Sequence, residues 1–433
     1  MKRREFLQLG AGAGLALSAG LYPLIGRTAN PQVIVVGGGM AGASAAKYIR
    51  LWSKGLIDVT LVERDASYTS NIMSNEVLTG KRANMGTLNY SYNTLVSKYG
   101  INRVQGNVTE IDSVNQTVRV LNSAGAQSLR YDRLVLAPGV EFDLMPGMQS
   151  LDQYDTVVPH AWKAGPQTTL LRQQLMNMAD GQSVVISIPL APYRCPPGPY
   201  ERACVIADWL KTNKPNSRLT LLDANATIQA QAANFQAAFT GAYGYTVDYR
   251  PGVTIDQVQV VPGAHRVRYL KDGASTTLTA NVFNPIAPQR APALLRNAGL
   301  LNGNFAPVDL LSYESKLKPK IHVIGDASAS GMPKAGHIGN QEGKTCANAV
   351  VNLLLGNAYA MADASPVLNS ACFTPLTSTK ASWLSAVYQY SNGVMVPATN
   401  NGVTQPRASS GASAENYKDM NKWFSTLMGD TFA

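Results

Sequence analysis

The segment from Gln32 to Glu63 restricts this chain more than any other. Gln32-Val33-Ile34-Val35-Val36 is a continuous apolar, β-branched run, the pattern of a parallel strand buried on both faces. It leads directly into Gly37-Gly38-Gly39-Met40-Ala41-Gly42, and a helical stretch follows from Ala43 to about Trp52. A GxGxxG between strand and helix is a phosphate turn. Gly37 permits the tight turn, Gly39 lets a pyrophosphate approach the backbone, and Gly42 lets helix and strand pack closely. The helix N-terminus at Met40 and Ala41 then faces the phosphates. A second strand, Asp58-Val59-Thr60-Leu61-Val62, ends at Glu63, 21 residues beyond Gly42. An acid at that spacing accepts hydrogen bonds from the ribose of a dinucleotide, with Arg64 beside it.

Two later segments refine this reading. Tyr131–Gly139 is a buried strand ending in the small-residue turn Ala137-Pro138-Gly139, and Ile321–Ala327 is a strand ending in Gly325-Asp326. The trio of glycine turn, A-x-G turn and late Gly-Asp strand resembles the two-dinucleotide-domain flavoprotein superfamily. That resemblance implies FAD, with Asp326 on its ribityl or pyrophosphate part and with Ala137, Gly139 and Gly325 alongside.

A chain of 433 residues, 45% hydrophobic and 15% charged, exceeds one core and supports two or three domains. Many flavoproteins of this superfamily use NAD(P)H and repeat the glycine fingerprint midway. Here Ser183–Ile188 is a strand at the right place, but Pro189–Arg202 follows it without a GxGxxG. Five of the eleven residues Pro189–Pro199 are proline, and proline has no N–H to offer a phosphate. A helix from about Arg202 to Leu210 and a strand Arg218–Asp223 complete a second nucleotide-type unit that lacks an NAD(P)H site. The expected fold is α/β. Two Rossmann-like dinucleotide-binding-type domains, residues 30–150 with 285–360 and residues 151–284, carry a C-terminal α+β cap over 361–433.

Lys2-Arg3-Arg4-Glu5-Phe6-Leu7 is a twin-arginine pattern, and the Gly/Ala/Leu stretch after it runs to Ile25 with Pro23 inside. Residues 1–29 read as a twin-arginine export signal rather than an anchor helix, because the stretch is short and glycine-rich. The expected location is therefore the bacterial periplasm, with no membrane span in the mature protein. Lys and Arg number 37 against 27 Asp and Glu, a net +10 spread without any run of five basic residues. That distribution argues against a nucleic-acid partner. The four cysteines (Cys195, Cys204, Cys346, Cys372) form no CxxC, and the four histidines lack metal-ligand spacing, so no metal is expected.

Pro159–Gly165, Cys195-Pro-Pro-Gly-Pro-Tyr-Glu-Arg202, Ser74-Asn75-Glu76-Val77 and Met332–Gly336 resemble the flavoprotein subunit of flavocytochrome c sulfide dehydrogenase. The likeness runs from about Gln32 to the C-terminus, including Leu368–Cys372. It implies oxidation of a small sulfur substrate, and electron transfer through FAD to a c-type cytochrome subunit. Two departures stand out. The family links FAD through a cysteine just before Ser-Asn-Glu-Val, and Asn71 stands there, so FAD is expected to be non-covalent. The family also has a redox disulfide beside the flavin. Cys195 matches one partner, while Ser328 is taken to occupy the other position, so that disulfide is not expected. Cys204, nine residues on, is the alternative partner for Cys195, whereas Cys372 fits a family position or is structural.

Cys195 is the catalytic candidate, a thiol that takes up sulfur as a persulfide or forms a flavin adduct, with Arg194 favouring its thiolate, or else a small buried hydrophobe. Glu201 is the candidate acid/base, or else an acid complementing a helix dipole. Lys334, near His337–Asn340, is expected at the flavin N1–C2=O edge, where negative charge develops. His160 and Lys163 are as well explained by packing. The function expected is a periplasmic FAD-dependent sulfide dehydrogenase. The alternatives are oxidation of an organic thiol or other small reductant, and a flavin-binding or assembly subunit with altered chemistry.

Overall fold

The structure, a computed structural model, describes residues 29–356, 366–399 and 406–433. The twin-arginine segment lies outside them. The β-branched run Gln32–Val36 is the central strand of a five-stranded parallel sheet. Its neighbours are Asp58–Glu63 and Arg133–Leu136, and Asn102–Gln105 and Ile321–Val323 form the edges. Val33, Ile34 and Val35 are buried in a core to which the helix Met40–Trp52 and the antiparallel strands of Asn107–Arg130 both contribute. The helix Met40–Trp52 packs against the long helix Gly336–Leu355, so a segment nearly 300 residues later completes the first sheet's cover.

A second parallel sheet contains Val247–Pro251, Arg218–Asp223, Ser183–Ile188 and Val282–Pro285, in that order. Its helix, Gly198–Asn213, begins four residues before the expected Arg202. Pro199 sits in its first turn, where the missing N–H costs nothing. The short antiparallel pair Glu141–Phe142 and Gln289–Arg290 lies where the chain passes between the two sheets. Each sheet also carries a three-stranded antiparallel meander, Asn107–Arg130 on the first and Thr254–Ala280 on the second.

The C-terminal region is an antiparallel sheet of Val367–Pro375, Ala381–Ser391 and Val394–Pro397, followed by the helix Ala414–Phe432. Asp430 anchors that helix. Its carboxylate accepts from Tyr48 Oη at 2.6 Å and Asn340 Nδ2 at 2.8 Å, and it pairs with Lys344 at 2.8 Å. The last helix is thereby tied to both Met40–Trp52 and Gly336–Leu355. Among the described residues no helix is long and apolar enough to cross a membrane, and no cluster of three His, Cys, Asp or Glu stands in position to hold a metal ion.

Candidate active site

The phosphate turn is sterically committed. Gly37 has φ +98°, and a Cβ there would lie 2.3 Å from the carbonyl oxygen of Ala137. A Cβ on Gly42 would lie 1.9 Å from the carbonyl oxygen of Gly37. Gly42 therefore sits behind the turn, while Gly37, Gly39, Met40 and Ala41 wall a cavity of about 1340 Å³. Glu63 stands at the end of its strand and takes the Gly38 N–H at 2.6 Å and the Asp65 N–H at 3.0 Å. Its carboxylate also borders the cavity, with Arg64 exposed beside it. Ala137, packed against Gly37, and Gly139 (φ +74°) continue the same wall.

The cavity continues past Gly325 and Asp326. Gly325 has φ +69°, and its N–H donates to the buried Glu342 at 2.5 Å. The Asp326 carboxylate faces the cavity, 3.8 Å from the Arg194 guanidinium. Asn71 is in the wall, its side-chain oxygen taking the Ala164 N–H at 2.8 Å. Lys334 departs from expectation. Its ammonium is buried behind the Gly-Asp turn and donates to the carbonyls of Asp326 (2.8 Å) and Ser328 (2.9 Å), outside the walls of this cavity. The turn's own carbonyls, which need a donor once buried, claim the charge that a flavin edge was expected to receive.

At the far end lies Cys195. Its backbone is in the left-handed region at φ +60°, and two other non-glycine wall residues, Met73 (φ +68°) and Ala161 (φ +47°), share that strain. Strained backbone gathered in one wall marks a functional site. The Cys195 N–H donates to the Lys334 carbonyl at 2.7 Å, and its carbonyl takes the Gly198 N–H at 2.8 Å.

The second sulfur in this wall is Cys372, on the strand Val367–Pro375. This corrects the assignment of the partner position to Ser328. Ser328 is buried outside the wall, with its hydroxyl donating to the Gly325 carbonyl at 2.9 Å. Cys204 and Cys346 are core residues, so neither competes for Cys195. Burial pushes the Cys195 thiol well up, and the neighbouring Cys372 and Glu201 push it further. Arg194 opposes this only weakly, because its guanidinium is engaged with Asp326 and the Trp162 carbonyl. The expected stabilised thiolate at Cys195 is therefore not what the site favours. Burial raises the Cys372 thiol to about 11.

Glu201 projects from the first turn of its helix into the wall. Burial raises its pKa to about 8, although Asn75 Nδ2 donates to it at 2.8 Å. It is thus a neutral acid at pH 7, not a dipole-compensating carboxylate. The adjacent Arg202 is fully buried, stacked 4.6 Å from the Trp162 ring centre, and donates to Asn75, Asn284 and the carbonyls of His160 and Ala161. His160 lies 4.0 Å from the Phe142 ring centre, and burial lowers its pKa to about 3. It is a neutral packing and cavity residue. Lys163 is exposed at the cavity wall.

The profile of the sulfide dehydrogenase (flavocytochrome c) flavoprotein chain, central part, matches residues 168–287. The flavocytochrome c sulfide dehydrogenase flavin-binding profile matches residues 364–432, and that of the pyridine nucleotide-disulfide oxidoreductases matches 31–186. By these matches the chain is similar to the flavocytochrome c sulfide dehydrogenase flavoprotein in its central and C-terminal parts. Among solved structures it is similar to the sulfide:quinone oxidoreductase of Aquifex aeolicus, with TM-score 0.73, 16% identity and 92% of each chain covered. It is also similar to the putidaredoxin reductase–putidaredoxin complex, with TM-score 0.61, 20% identity and 83% and 82% covered. The NAD-dependent persulfide reductase of A. fulgidus gives TM-score 0.58, 15% identity and 92% and 77% covered. At these identities the likeness is one of fold.

With these matches the chain is an FAD-dependent oxidoreductase, and the cavity fits FAD. It exceeds the roughly 300–1,000 Å³ of a pocket for a drug-sized ligand. A glycine cradle and a helix N-terminus with unpaired amides stand at one end, and a sulfur-bearing wall stands at the other. Sequence reasoning passed over three wall residues as site candidates: Asn75, Trp162 and Arg202. All three lie in the quoted motifs and were readable as polar or aromatic residues beside a thiol loop. Trp423, on the helix Ala414–Phe432, also reaches the cavity wall.

Proposed function

We propose that this chain oxidises sulfide or a closely related sulfur compound in the bacterial periplasm and passes the electrons to a c-type cytochrome, with FAD held non-covalently. The observation that carries this is the shared wall of Cys195, Cys372 and Glu201 at one end of a dinucleotide cavity. The two cysteines are the sulfur-handling couple. Both are free thiols in this structure. Once two electrons have left them for the flavin acceptor and a disulfide has formed, attack by hydrosulfide would break the S–S bond and leave a persulfide on one sulfur and a thiolate on the other. Glu201, neutral at pH 7, supplies the proton that the thiolate takes. Arg194 and Arg202 give the wall a positive field that favours an anionic substrate over a neutral one. When bound, FAD supplies a two-electron acceptor able to return electrons singly. The loop Pro189–Pro199, without a phosphate turn, supports a small reductant in place of a pyridine nucleotide.

Non-covalent FAD is supported by Asn71, whose amide cannot form a thioether and is engaged with Ala164. The twin-arginine pattern at Lys2–Leu7 supports export. Anaerobic addition of sulfide to the holoprotein is expected to bleach the flavin absorbance, and added cytochrome c is expected to restore it. Cys195→Ser and Cys372→Ser should each cut the bleaching rate at least about a hundredfold with FAD retained. Bleaching by thiols but not by sulfide, or sulfide turnover that survives either substitution, refutes the assignment. Acid precipitation tests the attachment: the yellow colour should stay in solution.

A further inference from the structure

Lys334 is a buried charge that the chemistry above leaves unused. Its ammonium makes two hydrogen bonds to the Asp326 and Ser328 carbonyls, at 2.8 and 2.9 Å. It also stands 3.7 Å from the Phe305 ring centre. The carbonyl of the same residue takes the Cys195 N–H at 2.7 Å. One residue thus grips the cofactor-side turn with its side chain and the thiol-side loop with its backbone. We propose that Lys334 is a positioning residue that ties FAD binding to the strained conformation of Cys195.

Several observations converge on this. A cysteine at φ +60° sits roughly 1–3 kcal/mol above relaxed backbone and holds only where its surroundings over-determine it. Four hydrogen bonds hold the backbone of Arg194 and Cys195. They are Cys195 N–H to the Lys334 carbonyl, Gly198 N–H to the Cys195 carbonyl, Arg194 N–H to Gln289 Oε1 at 3.0 Å, and Trp162 Nε1–H to the Arg194 carbonyl at 3.0 Å. Of the four, only the bond to Lys334 leads to the turn that carries Asp326.

That turn is held from beneath by complementary groups. Lys334 donates to two of its carbonyls, while Glu342 accepts from the Gly325 N–H at 2.5 Å and the Ser330 hydroxyl at 2.8 Å. Above the turn, the Asp326 carboxylate faces the cavity and stands 3.8 Å from Arg194, the residue preceding Cys195. A ligand that orders Asp326 therefore also orders Lys334 and, through its carbonyl, Cys195. Without the ammonium the turn and the loop separate. Cys195 then relaxes toward ordinary φ, and FAD must re-impose the strained geometry at the expense of its own affinity.

The proposal gives Cys195 a meaning in turnover only through the reading of it as the sulfur-handling residue, but its test needs no sulfide. The FAD dissociation constant of the holoprotein is measured by flavin fluorescence in four proteins: wild type, Lys334→Met, Cys195→Gly and the double variant. Glycine accepts positive φ without strain. Lys334→Met alone is expected to weaken FAD about tenfold, and only about twofold in the Cys195→Gly background. An equal loss in both backgrounds overturns the coupling and reduces Lys334 to local support of the turn. Glu342→Gln keeps the shape of the contacts to Gly325 and Ser330 while removing the countercharge near Lys334. It must show the same dependence on residue 195 and keeps the test open where Lys334→Met fails to fold. If sulfide fails to bleach the flavin, the functional reading falls while this coupling stands or falls on the fluorescence alone.

Discussion

Glu201 holds a proton at pH 7 because it is buried against Asn75 and Arg202, with a pKa raised to about 8. The unfolded chain loses that proton in the ordinary carboxylate range, so between there and about pH 8 the native state binds more protons. Stability therefore falls as pH rises through this window. Glu342, raised to about 7 by burial, acts with the same sign. Subtracting the Glu201→Gln variant from wild type isolates the first group. Denaturant titrations of the holoprotein at pH 5 and pH 8 are expected to show a pH-dependent loss smaller by on the order of 3 kcal/mol in Glu201→Gln. In sulfide oxidation the same variant should lose the alkaline limb near pH 8, because no titrating acid remains beside the thiols. An unchanged limb would mean that another group supplies the proton.

At the scale of elements, the strand–turn–helix unit from Gln32 to Trp52 is readable because each glycine has a local steric reason. Gly42 lies inside a helix, where alanine is ordinarily better by about 0.5–1 kcal/mol. Here a Cβ meets the Gly37 carbonyl oxygen at 1.9 Å. Gly42→Ala is accordingly expected to reverse the usual sign, lowering Tm by several degrees and weakening FAD about tenfold or more, read by thermal unfolding and flavin fluorescence. The helix Gly336–Leu355 is less readable from its residues alone. Its early glycines are poor helix formers, but a Cβ on Gly343 would stand 2.5 Å from the Ala41 carbonyl oxygen. Close approach to the helix Met40–Trp52 demands glycine there, and that contact overrides propensity.

Across the whole molecule the two parallel sheets are built alike and end differently. Glu63 closes the second strand of the first sheet and borders the cavity. Asp223 closes the matching strand of the second sheet, and its carboxylate is fully buried. It accepts from Tyr200 Oη at 2.7 Å, Tyr249 Oη at 3.0 Å, and the backbone and side-chain nitrogens of Asn225 at 2.9 and 2.8 Å. The acid that a nucleotide ribose would need is consumed by the protein itself. Neither NADH nor NADPH at millimolar concentration is expected to bleach the flavin under anaerobic conditions. Bleaching at a rate comparable to that with sulfide would require a nucleotide site elsewhere.

The sequence by itself determined the cofactor-binding unit and the family resemblance. Glycine turns, β-branched runs and strand-end acids recur at fixed spacings along the chain, so they are legible before the fold is known. Only the tertiary structure decided the chemistry of the far wall. It brought Cys372 to Cys195 from a strand about 180 residues away and left Ser328 outside. It turned Lys334 behind the Gly-Asp turn, and it buried Glu201 deeply enough to keep it neutral. Burial and approach between distant segments are properties of packing, and no spacing along the chain encodes them.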